Sequence, residues 1–277
     1  MLPQNDKLIT AVTAHYSHSE FGDRIRRALE AAGADLGRLT VADLAPYDHL
    51  HSGSKPATLQ LAGLAGLTKG WRVADLGGGI GGPARTLVTE FGCSVDVVDL
   101  TEEFCRVGAW LTGLTRLDDQ VRFHNASALG TPLVTGAYDV VWMQNSAMNI
   151  EDRPALYAEV SRLLRPGGRY AFQEVMAGPV TPAYYPMNWA GSAETSFLHP
   201  PEEVHRLIEA AGFRELHWVD NSEDTAADSR QRANPPAGAP TRPAYNPDAL
   251  AAAILENGVR NRDEKRVVNR LAVFVKR

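Results

Sequence analysis

The stretch Val73-Ala74-Asp75-Leu76-Gly77-Gly78-Gly79-Ile80-Gly81-Gly82-Pro83 limits the folds open to this chain more tightly than any other segment. A short apolar run, Trp71 to Leu76, reads as a buried strand. It runs straight into glycines, and Ala84, Leu87, Val88 and Phe91 then recur at helical spacing. The order is strand, tight turn, helix. Gly77, Gly79 and Gly82 fit the G-x-G-x-x-G spacing of a nucleotide-type ligand laid across a turn and a helix N-terminus. Glycine admits left-handed dihedrals and lets a ligand approach the backbone with no Cβ in the way.

Two acids give the motif a direction. Asp75 sits two residues before the first glycine, at the end of the strand. A carboxylate there would repel a pyrophosphate but would favour an ammonium or sulfonium. Asp99 ends the next expected strand, 22 residues after Gly77, where an acid grips ribose hydroxyls in such βαβ units. Together they favour S-adenosylmethionine over a nicotinamide dinucleotide. A glycine turn with Asp75 as a simple helix cap is the bland alternative.

Around this unit, strands and helices alternate. Strands are expected at 71–76, 94–99, 120–124, 138–143, 169–175, 214–219 and 267–275. Helices are expected at 4–33, 57–67, from Pro83 onward, and at 101–115, 151–164, 201–211 and 248–257. Thr101 reads as the N-cap of its helix, and Gly33 as the stop of the first. The pattern predicts an α/β fold: a doubly wound, mostly parallel seven-stranded Rossmann-like sheet with N-terminal helices and an inserted lid. Residues 1–55 form the helical cap and an active-site loop, with 34–55 irregular, and 56–277 form the main domain. Lid insertions are expected at about 177–199, rich in Pro, Tyr and Trp, and at 221–247, polar, then Pro-rich and mobile.

Composition excludes several classes. Net charge is −5 and no Lys/Arg-rich run occurs, so nucleic acid is a poor partner. Cys93 and Cys105 make no metal-type spacing, and no metal is expected. Two thiols in 277 residues suit a reducing compartment. No stretch reads as a signal peptide or a membrane span, so a cytoplasmic protein is expected.

At this point the chain resembles the class I S-adenosylmethionine-dependent methyltransferases. The glycine stretch carries the likeness, with Val98-Asp99-Leu100-Thr101, Ala126 to Leu133, Tyr138-Asp139-Val140-Val141-Trp142 and Leu163 to Gly168. Asp48-His49-Leu50-His51-Ser52-Gly53 and Trp142-Met143-Gln144-Asn145 are similar to the bacterial small-molecule group that includes sarcosine and dimethylglycine N-methyltransferases. The resemblance implies methyl transfer to a small acceptor through an N, O or C nucleophile, in specialised or small-metabolite metabolism. It implies that Gly77 and Gly79 approach the methionine part of the cofactor and that Asp75 orients it. It further implies that Asp99 holds the ribose, Leu100 packs on adenine and Ala128 offers its N–H to adenine. Ser127 stands where the family usually has an Asp, a weaker acceptor for the adenine amino group. Gln144 would face the methionine end or the methyl group in flight, and Tyr16 would cap the cofactor.

The sulfonium methyl is already activated, so the protein must align the reactants and exclude water. A phenol or carbon nucleophile also wants a base, for which His51 is the first candidate, then His49, then His199. Asn145 and Asn149 follow the fourth strand at the ligand-binding edge, although Asn149 could equally cap a helix. Tyr184, Tyr185 and Trp189 form either an aromatic wall for the substrate or a lid core. No Arg cluster for a substrate carboxylate is evident in 177–199, which favours a larger, less charged acceptor. The aromatic segment could also serve as a homodimer contact. Three alternatives differ in class. They are a non-methylating enzyme of the same fold, such as a cyclase, a non-catalytic binding protein, and a nicotinamide-dependent reductase. The reductase is weakened by Asp75 and by the lack of a Tyr-x-x-x-Lys pair near the fifth strand. Asn234-Pro235-Pro236-Ala237 lacks the aromatic of the amino-methylating nucleic-acid signature and lies after the wrong strand.

Overall fold

A computed structural model describes the chain over residues 4–16, 20–237 and 248–277. Seven strands form one sheet in the order β3-β2-β1-β4-β5-β7-β6. They are β1 (Arg72–Leu76), β2 (Ser94–Asp99), β3 (Val121–Asn125), β4 (Tyr138–Gln144), β5 (Leu164–Ala177), β6 (Phe213–Asp220) and β7 (Val267–Lys276). The first five run parallel, and β7 runs antiparallel to both β5 and β6. The chain order reverses between β1 and β4, a switch point that opens a crevice at the carboxyl ends of these strands.

The central strands are apolar on both faces, as a parallel sheet covered on two sides requires. Ala74, Val141 and Met143 point into one core with Leu156, Val160 and Leu163 of α7 (Arg153–Leu163) and Val204 and Ile208 of α8 (Pro201–Ala210). Their neighbours Val73, Val140 and Trp142 point the other way. There they meet Leu61 and Ala65 of α4 (Ser54–Ala65) and Leu87 of α5 (Gly82–Phe91). Burying each such side chain is worth about 1.5–3 kcal/mol.

A third core holds the cap. Phe21, Ile25 and Leu29 of α2 (Phe21–Ala31) and Leu44 and Tyr47 of α3 (Val41–Asp48) pack on Phe104, Val107 and Leu111 of α6 (Glu102–Leu114). Three expectations change here. The single helix over 4–33 is two helices, α1 (Gln4–Tyr16) and α2, and the joint falls at 17–19, outside the described residues. The stretch 34–55 is not irregular throughout. Thr40 and Asp43 bond reciprocally in a capping box with Asp in the usual Glu place, and this starts α3. Thr101 occupies the N-cap of α6, but its hydroxyl makes no cap bond; its N–H donates to Asp99 instead.

The C-terminal part also differs. Residues 222–233 of the expected mobile segment form α9 (Ser222–Ala233), which packs on α10 (Asp248–Asp263) through an Arg230–Asp263 ion pair. Its apolar content is low, so no periodicity announced it. The Pro-rich part from 238 to 247 lies outside the described residues. α10 extends six residues past its expected end at Asn257. The Arg165-Pro166-Gly167-Gly168 turn lies within the long β5, where the register against β4 shifts.

Candidate active site

The crevice at the switch point is the mouth of a cavity of about 520 Å³. That volume lies within the range of small-molecule sites. Its floor is the turn after β1. Gly77, Gly79 and Gly81 all have positive φ, at 72°, 58° and 76°. Gly77 must be glycine for a second reason: a Cβ there would collide with the Ser146 side chain. A Cβ on Gly78 would come within 2.5 Å of the Asp75 carboxylate. Close packing against Ser146 and Asp75, beside the positive φ values, therefore demands glycine at this turn.

Two carboxylates frame this floor. Asp75 is 1% exposed, and its Oδ2 has no hydrogen-bond partner among the described residues. Burial, then the neighbouring Asp99 charge, pushes its carboxyl up to about 8. A carboxylate in that setting fits a cationic ligand, which would supply the missing counter-charge. Asp99 accepts from the Gly79 N–H at 2.8 Å and the Thr101 N–H at 2.9 Å. Burial raises its carboxyl, and these two donors oppose the rise. Beyond Asp99, Leu100, Ser127 and Ala128 line the same wall. The Ser127 Oγ accepts from the Leu129 N–H at 3.2 Å, which leaves its own proton and a lone pair for a ligand. These residues fit S-adenosylmethionine: an acid for its cationic end, an acid for its ribose, and an apolar and hydroxyl wall for adenine. Among the described residues no cluster of possible metal ligands occurs.

On the other side of the floor, the ends of β4 and β5 carry a buried amide network. Gln144 Oε1 accepts from Trp142 Nε1–H and lies 3.0 Å from the Thr58 hydroxyl, while Gln144 Nε2 donates to Gln173 Oε1 at 3.0 Å. His51 joins this network. Its Nδ1 lies 3.0 Å from the Ser52 carbonyl and its Nε2 lies 3.0 Å from the same Thr58 hydroxyl. Both ring nitrogens are therefore held by the protein. Burial, the charges of His49 and Arg232 lower its pKa to about 3, against the raising effect of the Ser52 carbonyl. His51 lines the cavity with both ring nitrogens in contact with protein groups, and its burial weakens it as a base.

The other proposed contacts divide in the same way. His49 is turned from the cavity: its ring bonds Asp48 at 2.7 Å and Thr86 at 3.2 Å. Asp48 also holds Arg85 at 2.9 Å, and this buried group fastens the 48–53 loop to α5. Burial alone would raise the Asp48 carboxyl, but Arg85 and His49 outweigh it and hold it below the ordinary value. His199 pairs with Glu203 on the protein's edge, and Arg260 and Arg266 stack on the Tyr184 ring. Tyr185 packs in the lid core with Met187 and Trp189. Of the three aromatic candidates, Trp189 alone lines the cavity. Asn145, with φ 51°, and Asn149 both line it. Asn149 caps no helix: it accepts from the Tyr16 hydroxyl at 2.9 Å and donates to the carbonyls of Trp189 and Thr195. This ties α1 to the aromatic segment across the cavity mouth.

The sequence reading missed two groups. Leu8, Ile9 and Val12 of α1 form an apolar wall, although the helical spacing of Leu8, Val12 and Tyr16 was visible. Arg232 of α9 and Arg262 of α10 also line the cavity. Residues 177–199 hold no arginine, as read from the sequence; these two come from α9 and α10, 30 residues apart in sequence, so no local signal reveals them.

Known proteins resemble this chain in sequence and fold. A family model described as "Methyltransferase domain" matches residues 73–168. The chain is 28% identical over 225 residues to methyltransferase GfsG of Streptomyces halstedii, covering 78% of this chain and 75% of that protein. It is 27% identical over 150 residues to the sarcosine/dimethylglycine N-methyltransferase of Halorhodospira halochloris, covering 54% of each, so it matches about half the length of that relative. The solved structure of geranyl diphosphate C-methyltransferase from Streptomyces coelicolor A3(2) superposes with a TM-score of 0.71 at 21% identity, covering 99% of this chain and 98% of that one, a likeness of fold. Residues 73–168 match a methyltransferase domain, and the sheet around them has the Rossmann-like fold of solved methyltransferases.

Proposed function

We propose that the chain transfers the methyl group of S-adenosylmethionine to a small acceptor of specialised metabolism, and that it does so by alignment rather than by general-base catalysis. One observation carries the reading. Asp75, with its Oδ2 unpartnered among the described residues, and Asp99 flank the glycine turn, in a cavity that continues past Gln144 to an apolar wall. When bound, the cofactor supplies an electrophilic methyl group. Asp75 favours the cationic end, Asp99 the ribose hydroxyls, and Ser127 and Ala128 the adenine edge. Gln144, locked by Trp142 and Gln173, and Asn145 present rigid polar groups beside the point of transfer. Leu8, Val12, Met148 and Trp189 exclude water and seat the acceptor's apolar body.

His51 and Asn149 act in this reading as positioning residues. His51 keeps Gln144 and Thr58 in register, and Asn149 latches Tyr16 and the aromatic segment over the site. In this reading the nucleophile is one that needs little activation, such as a neutral amine or an acidic hydroxyl or carbon. The net charge of −5 supports a small acceptor over nucleic acid.

Isothermal titration with S-adenosylmethionine and S-adenosylhomocysteine, on the wild type and Asp99→Ala, tests the reading. Asp99→Ala is expected to weaken both ligands about 30-fold, the worth of about 2 kcal/mol of charge-assisted hydrogen bonding. Absence of binding by the wild type, or equal binding by the variant, refutes it.

A further inference from the structure

The cavity has two electrically different ends. The acids Asp75 and Asp99 stand on β1 and β2. The arginines Arg232 and Arg262 stand on α9 and α10, beside β7, on the far side of β4 and β5 in the sheet order. One guanidinium reaches the His51 carbonyl at 2.9 Å and the Ser54 hydroxyl at 3.2 Å, and pairs with Asp228 at 2.8 Å. The other donates to the Ser52 hydroxyl at 3.1 Å and to the Gly258 carbonyl at 2.9 Å.

These two cations share one carboxylate. Asp228 answers Arg232 and also accepts from the Gly53 N–H at 3.1 Å. The Arg262 side chain has only neutral acceptors, and its Nε is shut off from solvent with no hydrogen-bond partner among the described residues. Burial and the nearby Arg232 charge pull its pKa down to about 10, with Asp228 opposing. A half-buried, like-charged pair with one counter-ion gains when a ligand supplies a second negative charge. Guanidinium forks match carboxylate and phosphate geometry. The two acids that follow Arg262 are committed elsewhere: Asp263 to Arg230, and Glu264 to Arg266.

We propose that Arg232 and Arg262 form an oxyanion subsite that seats a carboxylate or phosphate group of the methyl acceptor. The proposal rests on the methyltransferase reading and names the substrate class within it. The acceptor then spans the cavity with its anion on the arginines, its apolar body along Met148 and Trp189, and its nucleophile toward the glycine turn. The same separation keeps the acceptor's anion away from Asp75 and Asp99.

The test titrates benzoate, phenyl phosphate and benzamide into the protein saturated with S-adenosylhomocysteine. The wild type is expected to bind at least one anion about tenfold or more tighter than the neutral amide, and the stronger anion identifies the acceptor group. Arg262→Gln is expected to erase that preference, and Arg262→Lys to retain part of it. S-adenosylhomocysteine affinity should stay within about threefold in both variants, which also reports that they fold. Equal binding of amide and anions by the wild type overturns the proposal, as does a preference that survives Arg262→Gln and Arg232→Gln. Failure of the wild type to bind S-adenosylhomocysteine overturns the methyltransferase reading and the subsite with it.

Discussion

Replacing Asp75 by Asn should make the ligand-free protein more stable and the cofactor site worse. The wild-type carboxyl titrates at about 8 because burial and Asp99 oppose its charge. In the unfolded chain the same group titrates near 3.9. Between these values the folded state binds the extra proton. Stability therefore falls as pH rises, and it levels off above the folded value. Integrating from pH 6 to pH 8 gives a loss of about 2 kcal/mol from this one group. Asparagine carries no such charge, so the stability difference between variant and wild type should grow by about that amount over the window. For a chain of this size it corresponds to roughly 4–8 °C in Tm. Thermal unfolding of both proteins at pH 6, 7 and 8 reads the difference, because titrations not coupled to Asp75 cancel. In the same variant, S-adenosylmethionine affinity should fall at least about tenfold, since the neutral amide cannot answer a cation. Parallel stability curves for the two proteins would refute the reasoning, because they would mean that Asp75 is solvated or paired.

Two other substitutions separate position from chemistry. His51→Asn should lower kcat through disorder in the Gln144–Thr58 network. It should leave the shape of the kcat–pH profile unchanged between pH 5 and pH 8, because a ring titrating at about 3 adds no inflection there. An inflection near 6.5 that vanishes in the variant would restore His51 as a base. Asp48→Leu should cost about 3–5 kcal/mol in chemical denaturation, because it strands the fully buried Arg85, whereas the double change Asp48→Leu with Arg85→Met should recover much of that loss.

Local patterns carried the nucleotide half of the site into view. Gly77, Gly79, Asp75 and Asp99 lie within one βαβ unit, where a single turn and two adjacent parallel strands force them together. The acceptor half was less legible. His49 and His51 are two residues apart, yet one ring faces Asp48 and the other the cavity. That choice depends on α5 and Arg85, not on the loop's own sequence. Tyr184 looked like a substrate wall, but Arg260 of α10 and Arg266, just before β7, stack on its ring.

By itself, the sequence determined the alternating fold, the glycine turn and the two acids that flank it. These follow from short-range periodicity, the dihedral freedom of glycine and the placing of two acids at strand ends. Tertiary structure decided which histidine faces the cavity, that its nitrogens are occupied, and that Arg232 and Arg262 meet over Ser52 and Ser54. The physical reason is range. Apolar patterning encodes which face of an element is buried, but polar partners from distant elements meet only after α9 and α10 dock beside β7.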